Sequence, residues 1–128
     1  MFTTSDHISD RNHLIETIAR NTSVPTTKEE VAKIVSKHLE HGVESYHDGV
    51  LAGYMLVFNF FGKRSLHGYK FIKGHALYGF QLARKMVKDF GVDYISTTVN
   101  QSGVIRFAKM LGFKTERRVG NGTYLSKI

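Results

Sequence analysis

Residues 71–76 read Phe-Ile-Lys-Gly-His-Ala and lead from a predicted strand into a long helix that runs to Phe90. Apolar side chains recur every three or four residues from Ala76 onwards, with basic side chains opposite, as in a helix packed on a core. The small residues Gly74 and Ala76 allow a ligand to approach the backbone, and the unpaired N–H groups of the first turn favour an anion. With Lys73 adjacent, the turn predicts a phosphate site.

The residues after this helix continue the alternation of strand and helix. Gly91 ends the helix, and residues 94–99 are rich in the β-branched side chains that strands favour. Residues 102–111 predict a short helix that stops at Gly112. The second half of the chain is therefore predicted to run strand, turn, helix, strand, helix, strand.

The first half predicts two helices followed by three strands. Asp10 caps a helix that runs to about Arg20, and Thr27 with Glu30 forms a capping box for a second helix, which we expect to end at Gly42. The other predicted elements are a strand at 43–48, a turn at Asp48-Gly49, an apolar central strand from 50 to 58 or beyond, a strand and loop within 60–71, and a closing hairpin around 120–122. This order predicts a mixed α/β fold with a single domain over residues 1–128.

The positive charge of the chain is concentrated in its second half. Lys and Arg number 18 against 11 Asp and Glu, a formal net charge of +7. Residues 1–62 hold five basic and eight acidic side chains, whereas residues 63–118 hold twelve and three. This asymmetry predicts a polyanionic partner, either nucleic acid or a phosphate-rich cofactor. A solvated helix face accounts for part of the excess.

Composition excludes several classes of site. The chain has no cysteine, which excludes disulfides, thiolate metal ligands and a cysteine nucleophile. The first ten residues lack the basic and apolar regions of a secretory signal, and the apolar run 50–61 is shorter than the roughly 20 residues that span a bilayer. We therefore expect a cytoplasmic protein without membrane association. No spacing of His, Asp and Glu predicts a metal site.

A second motif follows the predicted phosphate turn. Residues 99–100 are Val-Asn, and residues 105–113 read Ile-Arg-Phe-Ala-Lys-Met-Leu-Gly-Phe. This pattern resembles motif B of the GNAT acetyltransferase superfamily, which reads V, N, a few residues and then I-R-L-Y-E-K-L-G-F. Gly74 and Ala76 match the two small positions of the family's motif A, and the helix after them has the family's usual length. The resemblance implies a GNAT-like fold, in which a central mixed β-sheet with two splayed strands is flanked by about four helices.

The same resemblance implies a cofactor and a reaction. Acetyl-CoA would bind between the splayed strands, with its pyrophosphate at Lys73, Gly74, His75 and Ala76 and its pantetheine arm near Asn100. In the family an amine attacks the thioester carbonyl, strand amides stabilise the oxyanion, and an acid protonates the departing sulfur. The implied function is that of an acetyl-CoA-dependent N-acetyltransferase, whose acceptor is an amine of a small molecule or protein.

Three features depart from the family pattern. Phe71 stands where motif A has Arg or Gln, so one phosphate donor is missing. Ala108 stands where a tyrosine often acts as the acid, which leaves that role vacant. The stretch from Asn100 to Gly112 is also one residue longer than usual.

Candidates for a general base lie around the predicted central strands. They are His67, Tyr69, Glu44 and His47, since a base must accept a proton from an ammonium group near neutral pH. Each also has a structural interpretation. Glu44 and His47 would be surface residues of a strand and a turn, and His67 and Tyr69 would face solvent or a partner.

Two other functions stay open. The helix from Gly74, the segment 100–112 and the closing hairpin are also similar to GNAT-like proteins of tailed phages, including small internal virion proteins of short-tailed phages. That similarity implies a catalytically inactive protein of virion assembly or host-protein interaction, located in the host cytoplasm or the virion, with a protein partner or as a homodimer. Nucleic-acid binding by residues 63–118 ranks last, because the sequence has no helix-turn-helix, zinc-finger or RNP-type motif.

Overall fold

The chain forms a seven-stranded mixed sheet with helices on both faces. A computed structural model describes residues 1–22, 26–72, 76–98, 102–119 and 122–127. The strands are β1 (Phe2–Ser5), β2 (Leu39–His47), β3 (Val50–Phe60), β4 (Lys63–Lys70), β5 (Tyr94–Thr98), β6 (Thr115–Val119) and β7 (Gly122–Ser126). The helices are α1 (Arg11–Arg20), α2 (Lys28–His38), α3 (Ala76–Phe90) and α4 (Ser102–Met110).

The order of strands across the sheet is β1-β2-β3-β4-β5-β7-β6. Strands β4 and β5 run parallel, whereas the other neighbouring pairs are antiparallel. A parallel pair needs a crossover connection, and α3 supplies it. The predicted mixed sheet flanked by four helices is therefore confirmed in the described residues.

Strand β3 lies in the middle of one half of the sheet and is buried on both faces, as its apolar sequence predicts. Tyr54, Leu56 and Phe58 pack in a core beneath α1 and α2. Val57 packs on the opposite face in a second core with Leu66 of β4, beneath α3 and α4. The sheet therefore separates two apolar layers, which we call the α1/α2 face and the α3/α4 face.

The predicted starts of the first two helices are confirmed, but the predicted end of the second is wrong. Asp10 and Thr27 accept hydrogen bonds from backbone N–H groups in the first turns of α1 and α2. Helix α2 ends at His38, so Gly42 lies inside β2 rather than after a helix. A Cβ at Gly42 would lie 3.1 Å from the side chain of Ile8, so a tertiary contact explains this glycine.

The turns on either side of β3 have left-handed backbone angles. Asp48 and Gly49 have φ of 50° and 81°, which confirms the predicted hairpin. Phe61 and Gly62 form a similar turn between β3 and β4, with φ of 55° and 86°. The closing hairpin of β6 and β7 is also confirmed, and its residues 120–121 lie outside the described part of the chain.

Strand β1 was not predicted, so the expectation that the fold begins with a helix is wrong. It has only four residues, too few to show an alternating pattern, and its position depends on pairing with β2.

None of the described helices is both long and apolar enough to cross a membrane. The described residues also contain no group of three His, Asp or Glu side chains placed to hold a metal ion.

Candidate functional site

Strands β4 and β5 separate after a short paired segment. The last pair in register joins His67 to Ser96. Beyond it β5 continues to Thr98 and β4 continues to Lys70, the latter still paired with β3. The backbone groups of β4 that follow His67 and point towards β5 therefore face a gap in the described part of the sheet. Such groups need hydrogen bonds from elsewhere, and a bound ligand can supply them.

A cavity of about 400 Å³ opens at this gap, between the sheet and helices α3 and α4. Small-molecule sites commonly measure about 300–1,000 Å³. The wall beside the gap is formed by Leu66, Ile95, Ser96, Gly103, Val104 and Phe107. This largely apolar wall suits the arm of a long ligand better than a compact charged one.

Two helical glycines open onto the cavity although no neighbouring atom requires them. A Cβ at Gly79 of α3 or at Gly103 of α4 would meet no heavy atom of the described residues within 4 Å. Neither residue has a positive φ, so the backbone does not require glycine there either. Glycine inside a helix costs roughly 0.5–1 kcal/mol relative to alanine. Both positions therefore keep space open at the expense of helix stability.

His67 lies at the gap on the α1/α2 face, and the interpretation that it faces solvent is wrong. The residue is half-buried, its Nε2 lies 2.9 Å from the Ser65 hydroxyl oxygen, and its ring meets that of Phe58 edge-on at 5.2 Å between centroids. Burial among these groups lowers the pKa of His67 to about 4. The imidazole is therefore neutral at pH 7, so it can take part in hydrogen bonds but binds a proton only weakly.

We expect His67 to weaken the fold as the pH falls from about 6.5 towards 4. The unfolded chain binds a proton at the ordinary histidine pKa of 6.5, whereas the folded chain binds it only near 4. The free energy of unfolding is therefore unaffected by this group above pH 6.5 and falls progressively as the pH drops below it. Between pH 7 and 4.5 the wild type should lose on the order of 2 kcal/mol more free energy of unfolding than His67→Asn.

Urea denaturation at a series of pH values measures this difference. The exposed His7 offers a matched control, since His7→Asn should retain the pH dependence of the wild type. Identical curves for His67→Asn and the wild type would show that burial of His67 does not control this dependence.

Tyr69 lies two residues beyond the last β4–β5 pair and borders the cavity. Its ring is half-buried and packs against the core of the α1/α2 face, so it does not simply face solvent. Burial, with a smaller contribution from nearby Tyr124, raises the pKa of Tyr69 to about 12. Its hydroxyl group has no hydrogen-bond partner among the described residues. At neutral pH Tyr69 is therefore a protonated phenol, which can donate a hydrogen bond.

Glu44 is buried with 1% of its surface exposed, so its interpretation as a surface strand residue is wrong. One carboxylate oxygen accepts hydrogen bonds from the Ser9 backbone N–H at 3.1 Å and the Ser9 hydroxyl at 3.0 Å. The other accepts from the Tyr46 hydroxyl at 2.8 Å. These bonds attach the segment between β1 and α1 to β2. A general base at Glu44 would first have to release these partners, whereas a structural role uses them as they stand.

His47 lies at the end of β2, two strands away from β4 in the sheet. Its Nε2 is 3.7 Å from the Asp48 carboxylate, and its ring centroid is 4.7 Å from that of Phe2. The residue is half-buried rather than fully exposed. The structure thus brings His67 and Tyr69 together at the gap and places His47 elsewhere.

The residues predicted to bind the cofactor lie mostly outside the described parts of the chain. These are Lys73, Gly74, His75 and Asn100. The flanks of the predicted turn are described, because β4 ends at Lys70 beside the gap and α3 begins at Ala76. The assignment of these four residues and of Ala76 to a cofactor site stays a prediction.

Sequence reasoning missed two further residues of this region. Lys70 is exposed and borders the cavity at the end of β4. The alternation of side chains along β4 places it on the same face as Leu66, a signal that could have identified it. Tyr124 pairs in register with Ser96 and lies near His67, with 6.5 Å between ring centroids. Its position depends on long-range pairing of β5 with β7, which no local pattern shows.

Known proteins resemble this one in structure but not in sequence. The sequence matches no protein-family model, and a search of the curated proteins found no match. The structure is similar to the ribosomal-protein-S18-alanine N-acetyltransferase from Escherichia coli, with a TM-score of 0.65 and 15% identity over 98% of this chain and 90% of that chain. It is also similar to a GNAT family acetyltransferase from Elizabethkingia anophelis with acetyl-CoA bound, with a TM-score of 0.65 and 10% identity over 98% and 95% of the two chains.

A third similar structure is the paia N-acetyltransferase from Thermoplasma acidophilum in complex with coenzyme A. Its TM-score is 0.57, with 15% identity over 99% of this chain and 98% of that one. In each case almost the whole of both chains is matched, so the similarity concerns the complete fold. The chain has a GNAT-like fold, and the predicted fold class is confirmed.

Proposed function

We propose that this protein is an acetyl-CoA-dependent N-acetyltransferase that acts on an amine of a small molecule or protein. The observation that carries the proposal is the gap between β4 and β5, which opens into a cavity of about 400 Å³. Similar structures include one with acetyl-CoA and one with coenzyme A bound. A pantetheine arm contains both amide and methylene groups, so the unpaired backbone of β4 and the apolar wall both suit it.

The proposed phosphate contacts lie at the open end of this gap. Lys73, Gly74, His75 and Ala76 would offer backbone N–H groups and a cation to the pyrophosphate, as the resemblance to motif A implies. Lys70, which the structure places at the end of β4, adds a second cation on the same approach. Asn100 would contact the pantetheine arm. These few groups use only part of the positive charge of residues 63–118.

Bound acetyl-CoA would supply an acetyl group activated as a thioester, which an amine can attack with loss of the thiol. Tyr69 is the proposed proton donor to the departing sulfur, since it borders the cavity at the gap and its phenol is protonated at neutral pH. The phenolate left behind, with a pKa of about 12, would take up the proton that the attacking nitrogen releases, so the phenol is restored. This assignment fills the role left vacant by Ala108. His67, with a pKa of about 4, is too weakly basic to hold a proton taken from an amine. We assign to it instead a hydrogen bond that orients the acceptor.

Replacement of Tyr69 by phenylalanine should reduce the maximal rate about tenfold while leaving acetyl-CoA affinity unchanged. General acid catalysis commonly contributes a hundredfold or more, but a thiol with a pKa near 8.5 already leaves readily, which reduces the contribution. Steady-state kinetics and calorimetry separate the two quantities. Tyr94→Phe, which removes the hydroxyl of another half-buried tyrosine at the paired end of β5, should leave the rate near that of the wild type. Equal rates for Tyr69→Phe and the wild type would reject Tyr69 as the proton donor.

Calorimetry with acetyl-CoA tests the proposed function directly. The wild type should bind with a measurable heat, and Gly74→Glu should abolish binding because it adds bulk and negative charge at the proposed phosphate turn. Circular dichroism should show that the variant keeps its fold. Absence of wild-type binding at millimolar acetyl-CoA would reject the proposal. Binding that survives in Gly74→Glu would place the phosphates elsewhere.

The open alternative predicts a different result. A catalytically inactive GNAT-fold protein of virion assembly or host-protein interaction would copurify with a protein partner and would acetylate no amine. Failure to bind acetyl-CoA, combined with such copurification, would favour it over the enzyme.

A further inference from the structure

The cavity extends away from the gap, beneath α3, towards the β1 edge of the sheet. We call this part the α3 arm; its lining includes Phe2, Ser45, Ala52, Gly53, Tyr78 and Gly79. These residues belong to β1, β2, β3 and α3, and the three strands follow one another outward from β4. With a strand spacing of about 4.8 Å, the arm reaches roughly 14 Å from β4. That length is far greater than an acetyl group at the gap can use.

Small residues line the α3 arm both on the sheet and on α3. Gly53 is required by the sheet itself, since a Cβ there would clash with the Tyr69 carbonyl oxygen. A Cβ at Gly68 would meet only the flexible Met55 side chain, with the sulfur at 3.3 Å. Gly79 on α3 has open space where its Cβ would lie. Of these three glycines, only Gly53 is explained by the packing of the protein.

The chemistry of the α3 arm is apolar. At its far end the rings of Phe2 and Tyr78 stack with 4.3 Å between centroids and 14° between planes. The Ser45 hydroxyl donates a hydrogen bond to the Gly53 carbonyl oxygen at 3.3 Å, so its polar group is already satisfied. The one charged residue in the described lining of the cavity is Lys70, which pairs in register with Gly53 and is exposed at the end of β4. The other lining residues of the arm are uncharged, and such surroundings favour a chain of methylene groups over a charged group.

We infer that the preferred acyl donor carries an acyl chain longer than acetyl, and that this chain lies in the α3 arm beneath α3. The inference rests on the proposed function, because the arm begins at the gap where the thioester would lie. The phosphates and pantetheine would keep the positions proposed above. Only the acyl end would leave the gap, passing Gly68 and Gly79 towards the stacked rings of Phe2 and Tyr78.

Calorimetry with coenzyme A, acetyl-CoA and hexanoyl-CoA tests this inference on the full chain. Each methylene buried in the arm should tighten binding about fourfold, so hexanoyl-CoA should bind at least tenfold more tightly than acetyl-CoA. Ser45→Leu adds an apolar side chain at the far part of the arm and should remove this preference while leaving acetyl-CoA affinity unchanged. Thr3→Leu, an exposed substitution on β1 outside the cavity lining, is the matched control and should keep the preference.

The outcomes separate this inference from the proposed function. If none of the three ligands binds, the proposed function fails and the inference fails with it. If acetyl-CoA binds and hexanoyl-CoA binds no more tightly, the proposed function stands and the α3 arm is not an acyl site. If hexanoyl-CoA binds more tightly to both the wild type and Ser45→Leu, the chain lies elsewhere and the inference is overturned.

Discussion

Replacement of Gly79 by leucine is expected to weaken hexanoyl-CoA binding at least a hundredfold while making the protein slightly more stable. Gly79 borders the cavity, and a Cβ there meets no heavy atom within 4 Å, so the new side chain would occupy space that we assign to the ligand. A hundredfold loss corresponds to about 2.8 kcal/mol of binding free energy. In the helix itself, replacement of glycine by leucine should raise the free energy of unfolding by roughly 0.5–1 kcal/mol.

The opposite signs of the two effects make this variant informative. A loss of binding caused by misfolding would be accompanied by a lower melting temperature, whereas blocking of the cavity would be accompanied by a higher one. Gln81→Leu, on the exposed side of the same helix, is the control and should bind like the wild type. Unchanged hexanoyl-CoA affinity in Gly79→Leu would show that the acyl chain does not use this part of the cavity.

Replacement of Glu44 by alanine is expected to lower the free energy of unfolding by about 3 kcal/mol. The substitution leaves three donors without their acceptor, namely the Ser9 N–H, the Ser9 hydroxyl and the Tyr46 hydroxyl. A buried donor that loses its partner costs about 1–3 kcal/mol, and the hydroxyl groups can recover part of this by rotating. The loss should also release the segment between β1 and α1 from β2.

Urea denaturation of Glu44→Ala and Glu44→Gln measures this effect. Glutamine retains one oxygen but turns an amide donor towards other donors, so it should also destabilise the fold. Glu29→Ala, at an exposed position in the first turn of α2, should cost less than about 1 kcal/mol. If Glu44→Gln is as stable as the wild type but cannot transfer an acetyl group, the carboxylate is a catalytic base rather than a structural acceptor.

Local sequence patterns predicted most of the elements of this fold. The caps at Asp10 and Thr27, the turn at Asp48-Gly49 and the apolar run of β3 each act through neighbouring residues, so they are visible without the tertiary structure. Gly42 shows where local reasoning fails. A glycine after an amphipathic pattern resembles a helix stop, but here it accommodates Ile8 from a distant segment.

The candidate site likewise contains one part that the sequence predicts and another part that only the structure shows. The phosphate turn from Lys73 to Ala76 is a local arrangement of small residues and a helix start, and the sequence predicts it without the fold. The states of Glu44, His67 and Tyr69 depend on which residues surround them. Sequence reasoning interpreted Glu44 as a surface residue and His67 and Tyr69 as facing solvent or a partner, whereas the structure buries Glu44 wholly and the other two partly. Burial also changes their chemistry, since it moves the pKa of His67 to about 4 and that of Tyr69 to about 12.

The sequence by itself determined the order of most helices and strands, the basic second half and the turn suited to a phosphate. These depend on residue type and short-range spacing, which each segment carries alone. Only the tertiary structure decided that β4 and β5 separate after His67, that Gly68 and Gly79 line the same cavity, and that Glu44 is buried. Those features arise from contacts between segments far apart in the chain, because the pairing of strands and the seating of α3 determine what space is left between them.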